Sequence, residues 1–126
     1  MGKEVISDNC VFCDSESEFE NELCFARPDK YPVNPGHFLI IPKRHCLDWF
    51  DMTQKEQLAA FDLVELVKAF LSKKHQAQAF NIGMNCGEIA GQTIMHAHIH
   101  LIPRYNNDME EPAGGVRGVI PSKQKY

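Results

Sequence analysis

Three histidines stand at alternate positions in the segment TIMHAHIHLIP, residues 93–103: His96, His98 and His100. The chain holds six histidines, and half of them fall within five residues. In a strand, side chains alternate between faces with period two. The three imidazoles and Ile94 therefore share one face, while Met95, Ala97, Ile99 and Leu101 turn toward a core. At about 3.3 Å per residue the outer two histidines stand roughly 13 Å apart. A single metal ion with bonds of about 2 Å reaches a neighbouring pair, such as His96 and His98, but not all three. The other chemistry is nucleophilic. Neutral imidazole attacks phosphorus with one nitrogen while the other donates to a fixed acceptor, and flanking histidines bind or neutralise phosphate oxygens. The residues alone leave metal binding and catalysis both open.

A second group could ligate metal. Cys10 and Cys13 form a C-x-x-C pair, which in a reducing compartment means metal or redox chemistry. The DSESEFENE run that follows is too polar and acidic for the helix that usually follows a thioredoxin-type pair. A closed structural zinc site needs two more ligands, and two histidines would complete a tetrahedral Cys₂His₂ set. Cys24, Cys46 and Cys86 read as small buried hydrophobes.

Several elements must position these groups. ELCFA and HFLII look like short strands, with proline- and glycine-bearing turns between them. Pro42 ends the second, because proline cannot donate to a ladder. Thr53 and Glu56 make a T-x-x-E capping box. Leu58, Phe61, Leu63 or Val64, Val67 and Leu71 then recur at helical spacing as a core stripe. Lys73, Lys74 and His75 close the helix, where positive charge suits its dipole. AFNIGMNCG reads as another strand, GEIAGQT as a glycine-rich turn, and IMHAHIHLI as a strand stopped by Pro103. The tail, 106–126, is loop-rich. Strands in hairpin order around one long helix give an α+β class with an antiparallel sheet.

The totals bound the partners. A chain of 126 residues suits one domain, here 1–126, with its core at about 10–105. The hydrophobic fraction of 44% and charged fraction of 24% are ordinary for a globular protein. A net charge of -4 speaks against a general nucleic-acid binder. No apolar run is long enough to span a membrane. The odd cysteine count and the absence of an apolar leader lead us to expect a cytoplasmic protein with reduced thiols.

HAHIHLIP resembles the signature of the histidine triad (HIT) family, in which three histidines alternate with apolar residues. The upstream GQTIMHAHIH is similar to that family's lead-in, and NPGHFLIIPKRH resembles its other recognisable segment. GGVRGVIP in the tail is similar to the ends of dinucleoside polyphosphate hydrolase-like members. The resemblance implies a five-stranded antiparallel sheet with one long helix and a short N-terminal helix. It also implies a nucleotide hydrolase or transferase in which the middle histidine, His98, attacks an α-phosphorus. A nucleotidyl-histidine forms, and water then releases a nucleoside monophosphate.

By the same resemblance His100 contacts the α-phosphate or leaving group, and His37 supports the site from a neighbouring strand. Asp29 binds ribose hydroxyls, Asn85 contacts phosphate, and Gln92 and Thr93 offer donors to phosphate oxygens. Zinc-containing members have counterparts of Cys10, Cys13, His45 and His96, which makes zinc structural, with no catalytic cofactor. A homodimer joined through the helix and an edge strand is implied too. A dinucleoside polyphosphate is the first substrate expectation and a nucleoside phosphoramidate the second. Arg117 and Lys123 could bring positive charge to a polyphosphate leaving group, or the tail could simply dock through Val119 and Ile120. Two rival classes stand beside the hydrolase: a metal-dependent enzyme using His96 and His98, and a nucleotide-binding or zinc-stabilised interaction protein without turnover.

Overall fold

The computed structural model describes residues 10–13 and 15–126. Five strands form one antiparallel sheet: β1 (Phe19–Glu20), β2 (Cys24–Pro28), β3 (Phe38–Pro42), β4 (Ala79–Gly83) and β5 (Ile99–Arg104). The spatial order is β1-β2-β3-β5-β4, with every neighbouring pair antiparallel. Hairpin order therefore holds from β1 to β3 and again from β4 to β5, and breaks between β3 and β4. The last strand inserts between β3 and β4. Its side chains alternate between buried and half-buried, which suits an interior strand, whereas those of β4 are half-buried to exposed and tolerate an edge. β4 covers only the first part of the AFNIGMNCG segment, and the rest turns into the glycine loop. The expected short N-terminal helix is not found among the described residues: 11–13 form a turn. Residues 1–9 lie outside the description.

The helix α1 spans Gln54–Lys74, with His75 at its C-cap. Its capping box forms as the sequence indicates: Thr53 Oγ1 accepts from the Glu56 N–H at 3.1 Å, and Glu56 Oε1 accepts from the Thr53 N–H at 2.8 Å. Glu56 is buried and also receives two 2.9 Å bonds from Arg44. The helix start is thus fastened to the loop after β3, one residue from His45. Ala60, Leu63, Val64, Val67 and Leu71 pack on the sheet. Leu58 and Phe61 do not join them, being 57% and 51% exposed. The reason is angular: at about 100° per residue Leu58 points opposite to Val67.

The helix covers one face of the sheet, where Cys24, Ala26, Phe38, Ile40, Ala97, Ile99 and Leu101 complete the core. Burial pushes the thiols of Cys24 and Cys46 up to about 12, so both behave as small hydrophobes, while Cys86 is half-buried. On the other face the N-terminal segment supplies Phe12 and Cys10 to a second cluster with Phe25, Leu39, Ile41 and Ile94. The tail packs against β4 as 3-10 turns at Gly115–Val119 and Pro121–Lys123. Val119 and Ile120 are 75% and 57% exposed, so neither anchors it. Among the described residues no helix is long and apolar enough to cross a membrane.

The histidine segment departs from the expected strand. The ladder begins at Ile99, so His100 lies in β5 while His96 and His98 lie in its lead-in. Continuing the β3–β5 register would set Ala97 opposite Pro42, which has no N–H to give. The Ala97 N–H instead donates to the Cys46 carbonyl at 2.8 Å. Ala97, Ile99 and Leu101 still turn to the helix side, but Met95 is 41% exposed instead of joining the core.

Candidate functional site

Four side chains from three parts of the chain converge at the end of β3. Cys10 and Cys13 come from the N-terminal turn, His45 from the loop after β3, and His96 from the lead-in to β5. Their donor atoms all lie within 4.8 Å of one another. Cys13 Sγ is 3.0 Å from His45 Nδ1, Cys10 Sγ is 3.3 Å from His96 Nδ1, and the two Nδ1 atoms are 3.1 Å apart. Ligands on a tetrahedral zinc, at about 2.0–2.3 Å from the ion, are separated by roughly 3.3–3.6 Å. The set fits. Its second shell fits as well: His96 Nε2 donates to the Pro42 carbonyl at 2.8 Å, which leaves the Nδ1 lone pair for a metal. With four protein donors, no ligand position is left for substrate.

His98 differs from His96 in which nitrogen is tied. Its Nδ1–H donates to the His96 carbonyl at 2.8 Å, so the lone pair is on Nε2. The ring is 8% exposed, with Phe12 edge-on at 5.0 Å between centroids. Burial pulls its proton affinity below that of an ordinary imidazole, against the opposing influence of the His96 carbonyl and Asp29. The neutral form is therefore favoured near neutral pH. His96 turns Nδ1 to the Cys/His cluster, while His98 lines a cavity that Asp29 and His100 also line.

A relay fixes the next tautomers. The Val33 N–H donates to His37 Nδ1 at 3.0 Å, so neutral His37 carries its proton on Nε2. His37 Nε2 lies 3.0 Å from His100 Nδ1 and donates to it. His100 must then carry its own proton on Nε2, as a donor. Burial, helped by the neighbouring His98 and His37, lowers the His100 pKa to about 4. Asp29 Oδ2 sits 3.5 Å from His37 Nε2, while Oδ1 accepts from the Tyr31 N–H at 2.9 Å. Asp29, His37 and His100 could also bring three donor atoms to an ion. The His37–His100 hydrogen bond, with the Asp29 carboxylate 3.5 Å from His37 Nε2, already accounts for their arrangement.

Two cavities meet at Asp29, Tyr31, Asn85 and His100. The smaller, about 400 Å³, is lined by Phe12, Leu39, Ile94, His98, Thr93 and the cations Arg27 and Lys30, among others. The larger, about 780 Å³, continues along β5 past Ile102 to Arg104 and is lined on one side by the tail. Asn85 and Thr93 thus reach the site. Gln92 does not: it is 2% exposed, accepts from the Gly87 N–H, and donates to the Leu47 and Ile94 carbonyls. It braces the glycine loop, in which Gly87 and Gly91 take φ of 101° and 102°. Sequence reasoning passed over Phe12, Arg27, Lys30 and Leu39. Arg27 and Lys30 flank Asp29 in ARPDK, a signal that was there to read. Phe12 and Leu39 carried none.

Comparison with known proteins agrees with this architecture. The HIT domain family matches residues 13–107. An uncharacterised HIT-like protein of Mycoplasma genitalium is 36% identical over 106 residues, covering 79% of this chain and 75% of its own. The asymmetrical bis(5'-nucleosyl)-tetraphosphatase of Schizosaccharomyces pombe is 37% identical over 97 residues, covering 77% of this chain and 53% of its own. A zinc-bound histidine triad family protein from Mycobacterium smegmatis superposes with a TM-score of 0.74 at 30% identity, covering 82% of this chain and 80% of its own. The chain belongs to the HIT family, and its sheet and helix form the HIT fold.

Proposed function

We propose that this chain hydrolyses a nucleoside 5'-phosphate derivative by two displacements at the α-phosphorus. The orientation of His98 is the observation that carries the reading: Nδ1–H is tied to the His96 carbonyl, leaving a lone pair on Nε2 beside a cavity that Asp29, Asn85 and His100 also line. In the first step Nε2 forms a bond to phosphorus, and the bond to the leaving group breaks with its electron pair. In the second, water forms a P–O bond and gives up one proton to solvent, the P–N bond breaks with its electron pair returning to Nε2, and a nucleoside monophosphate leaves with neutral His98 restored. His100 Nε2–H donates to a phosphate oxygen as negative charge gathers there. Asp29 offers acceptor oxygens to a ribose diol. Phe12 and Leu39 provide an apolar wall for a base. A dinucleoside polyphosphate and a nucleoside phosphoramidate are the two substrate types considered.

The reading predicts a covalent intermediate. Protein quenched seconds after mixing with diadenosine tetraphosphate or an adenosine phosphoramidate should carry one adenylyl group, mapped by mass spectrometry to His98. Adenosine monophosphate should accumulate as product. An adduct on a different residue, or no adenosine monophosphate from either substrate, would reject the assignment.

Zinc on Cys10, Cys13, His45 and His96 belongs to the same proposal, supported by the donor geometry. It would tie the N-terminal turn to the sheet and hold the backbone at His96. Coordination by thiolates suits a reducing compartment such as the cytoplasm. So does a homodimer, supported by apolar side chains on the outer flank of α1: Leu58, Phe61 and Leu66 are all about half exposed. Phe61→Glu should convert a dimeric species to monomer in sedimentation analysis. An unchanged sedimentation coefficient would exclude this face.

A further inference from the structure

Arg27 is a half-buried cation in the wall of the smaller cavity, and the catalytic proposal gives it no task. It stands on β2. The register runs across the sheet from Arg27 to Leu39 on β3, and from Leu39 to His100 on β5. All three side chains line the same cavity, on the face opposite the helix. Two strand spacings separate the backbones of Arg27 and His100, about 10 Å. The Arg27 head group stays with the cavity. Its Cζ lies 5.8 Å from the centre of the Phe12 ring, and Phe12 in turn meets His98 at 5.0 Å between centroids. Asp29, two residues further along, faces His37 instead, at 3.5 Å.

The guanidinium is largely uncommitted. Its Nε–H makes one stretched bond, 3.4 Å to the neighbouring Pro28 carbonyl. Among the described residues no carboxylate pairs with Arg27, and neither terminal nitrogen has a hydrogen-bond partner. A half-buried guanidinium in that state favours a ligand that brings its own acceptors. With the phosphate at His98 and His100, the ribose at Asp29 and the base on Phe12 and Leu39, the outer edge of the base falls at Arg27. Two strand spacings match the reach from an α-phosphorus across a ribose to the far edge of a purine. A guanidinium donates two parallel N–H bonds, which need two acceptors side by side in one plane. Guanine has them in O6 and N7, whereas adenine sets an amino group, itself a donor, beside N7. Lys30, exposed at the mouth of the cavity, has no such fork, and its charge attracts every nucleotide phosphate alike.

We infer that Arg27 selects the base in the smaller cavity, and that the chain prefers guanosine 5'-phosphate derivatives to adenosine ones. The inference rests on the reading that this cavity takes a nucleotide, and it narrows the substrate class. The terminal N–H groups of Arg27 donate to guanine O6 and N7. With adenine one of those N–H groups meets the amino group and is left without an acceptor.

The test titrates the full chain with guanosine monophosphate and adenosine monophosphate by calorimetry, and measures turnover of the guanosine and adenosine phosphoramidates alongside. The wild-type Kd for guanosine monophosphate should be at least about tenfold below that for adenosine monophosphate. Arg27→Gln should bring the two within about threefold of each other, chiefly by weakening the guanosine ligand. Arg27→Lys keeps the charge and loses the fork, and should lose most of the discrimination too. Wild-type affinities within about twofold of each other, binding of neither ligand, or a preference that survives both substitutions overturns the inference. Equal weakening of both ligands by Arg27→Gln also overturns it, since Arg27 would then hold phosphate. A guanosine preference lost in both variants, with no turnover of either phosphoramidate by wild type, upholds the inference and fails the hydrolase reading alone.

Discussion

His98→Ala should lower kcat for either adenylyl substrate by at least about a thousandfold while changing the Kd for adenosine monophosphate by no more than about threefold. The two halves of this expectation come from different atoms. The nucleophile is one nitrogen, Nε2, and no neighbour can replace it: His96 aims its lone pair at the Cys/His cluster, and His100 is tied through Nδ1 to His37. Binding comes from elsewhere. Asp29, Asn85, Thr93 and the apolar wall of Phe12 and Leu39 all remain. The substitution itself is mild for the fold, because the His98 side chain donates only to the carbonyl two residues back, though it leaves a small gap beside Phe12. Stopped-flow turnover and equilibrium titration on the same preparation separate the two effects. Residual turnover within about tenfold of wild type would show that His98 is not the nucleophile. Loss of nucleotide binding in step with turnover would show that its role is to build the pocket.

What could be read from the chain alone followed from short-range rules. The capping box needs only Thr53 and Glu56, three residues apart, and it forms as drawn. The strands follow from runs of apolar residues bounded by proline and glycine. Period-two alternation correctly turned Ala97, Ile99 and Leu101 to the core, since the strand direction persists beyond the ladder. Met95 escaped that rule because it precedes the point where the chain is held to Cys46. Leu58 and Phe61 misled because hydrophobicity alone does not set the phase of a helix. The phase is set by which side faces the sheet, and that is a tertiary fact. Gln92 illustrates the same limit. Its position before the histidines suggested a phosphate donor, but its partner at Leu47 lies 45 residues away. The tail cavity was invisible for the same reason: its walls come from segments around Val33, Ile82, Ile102 and Val116 that are far apart in the chain.

With zinc on Cys10, Cys13, His45 and His96 as proposed, removing it should cost this chain more stability than any single surface substitution. Cys13→Ser should lower Tm by about 10 °C, corresponding to about 3 kcal/mol for a domain of this size. A chelator should lower the wild-type Tm by a similar amount and leave the variant almost unmoved. The N-terminal turn meets the sheet through Phe12 and through the Cys/His cluster. Phe12 packs on the second cluster, and among the described residues no helix or strand precedes β1. Four ligands from three segments close long loops between residues 10, 45 and 96, and such closure removes much of the entropy of the unfolded chain. The same bonds reach the reaction centre. The His96 carbonyl accepts the His98 Nδ1–H, so the backbone that would be fastened to zinc also aims the nucleophile. Below saturation with metal, kcat should therefore fall more than KM rises, because ground-state contacts to the nucleotide are made by other residues. Metal analysis of purified protein at less than about 0.1 zinc per chain, together with a chelator-insensitive Tm, would remove zinc from this account. The His96 backbone, whose carbonyl aims His98, would then be positioned by the bonds of His96 to the Pro42 carbonyl and of the Ala97 N–H to the Cys46 carbonyl.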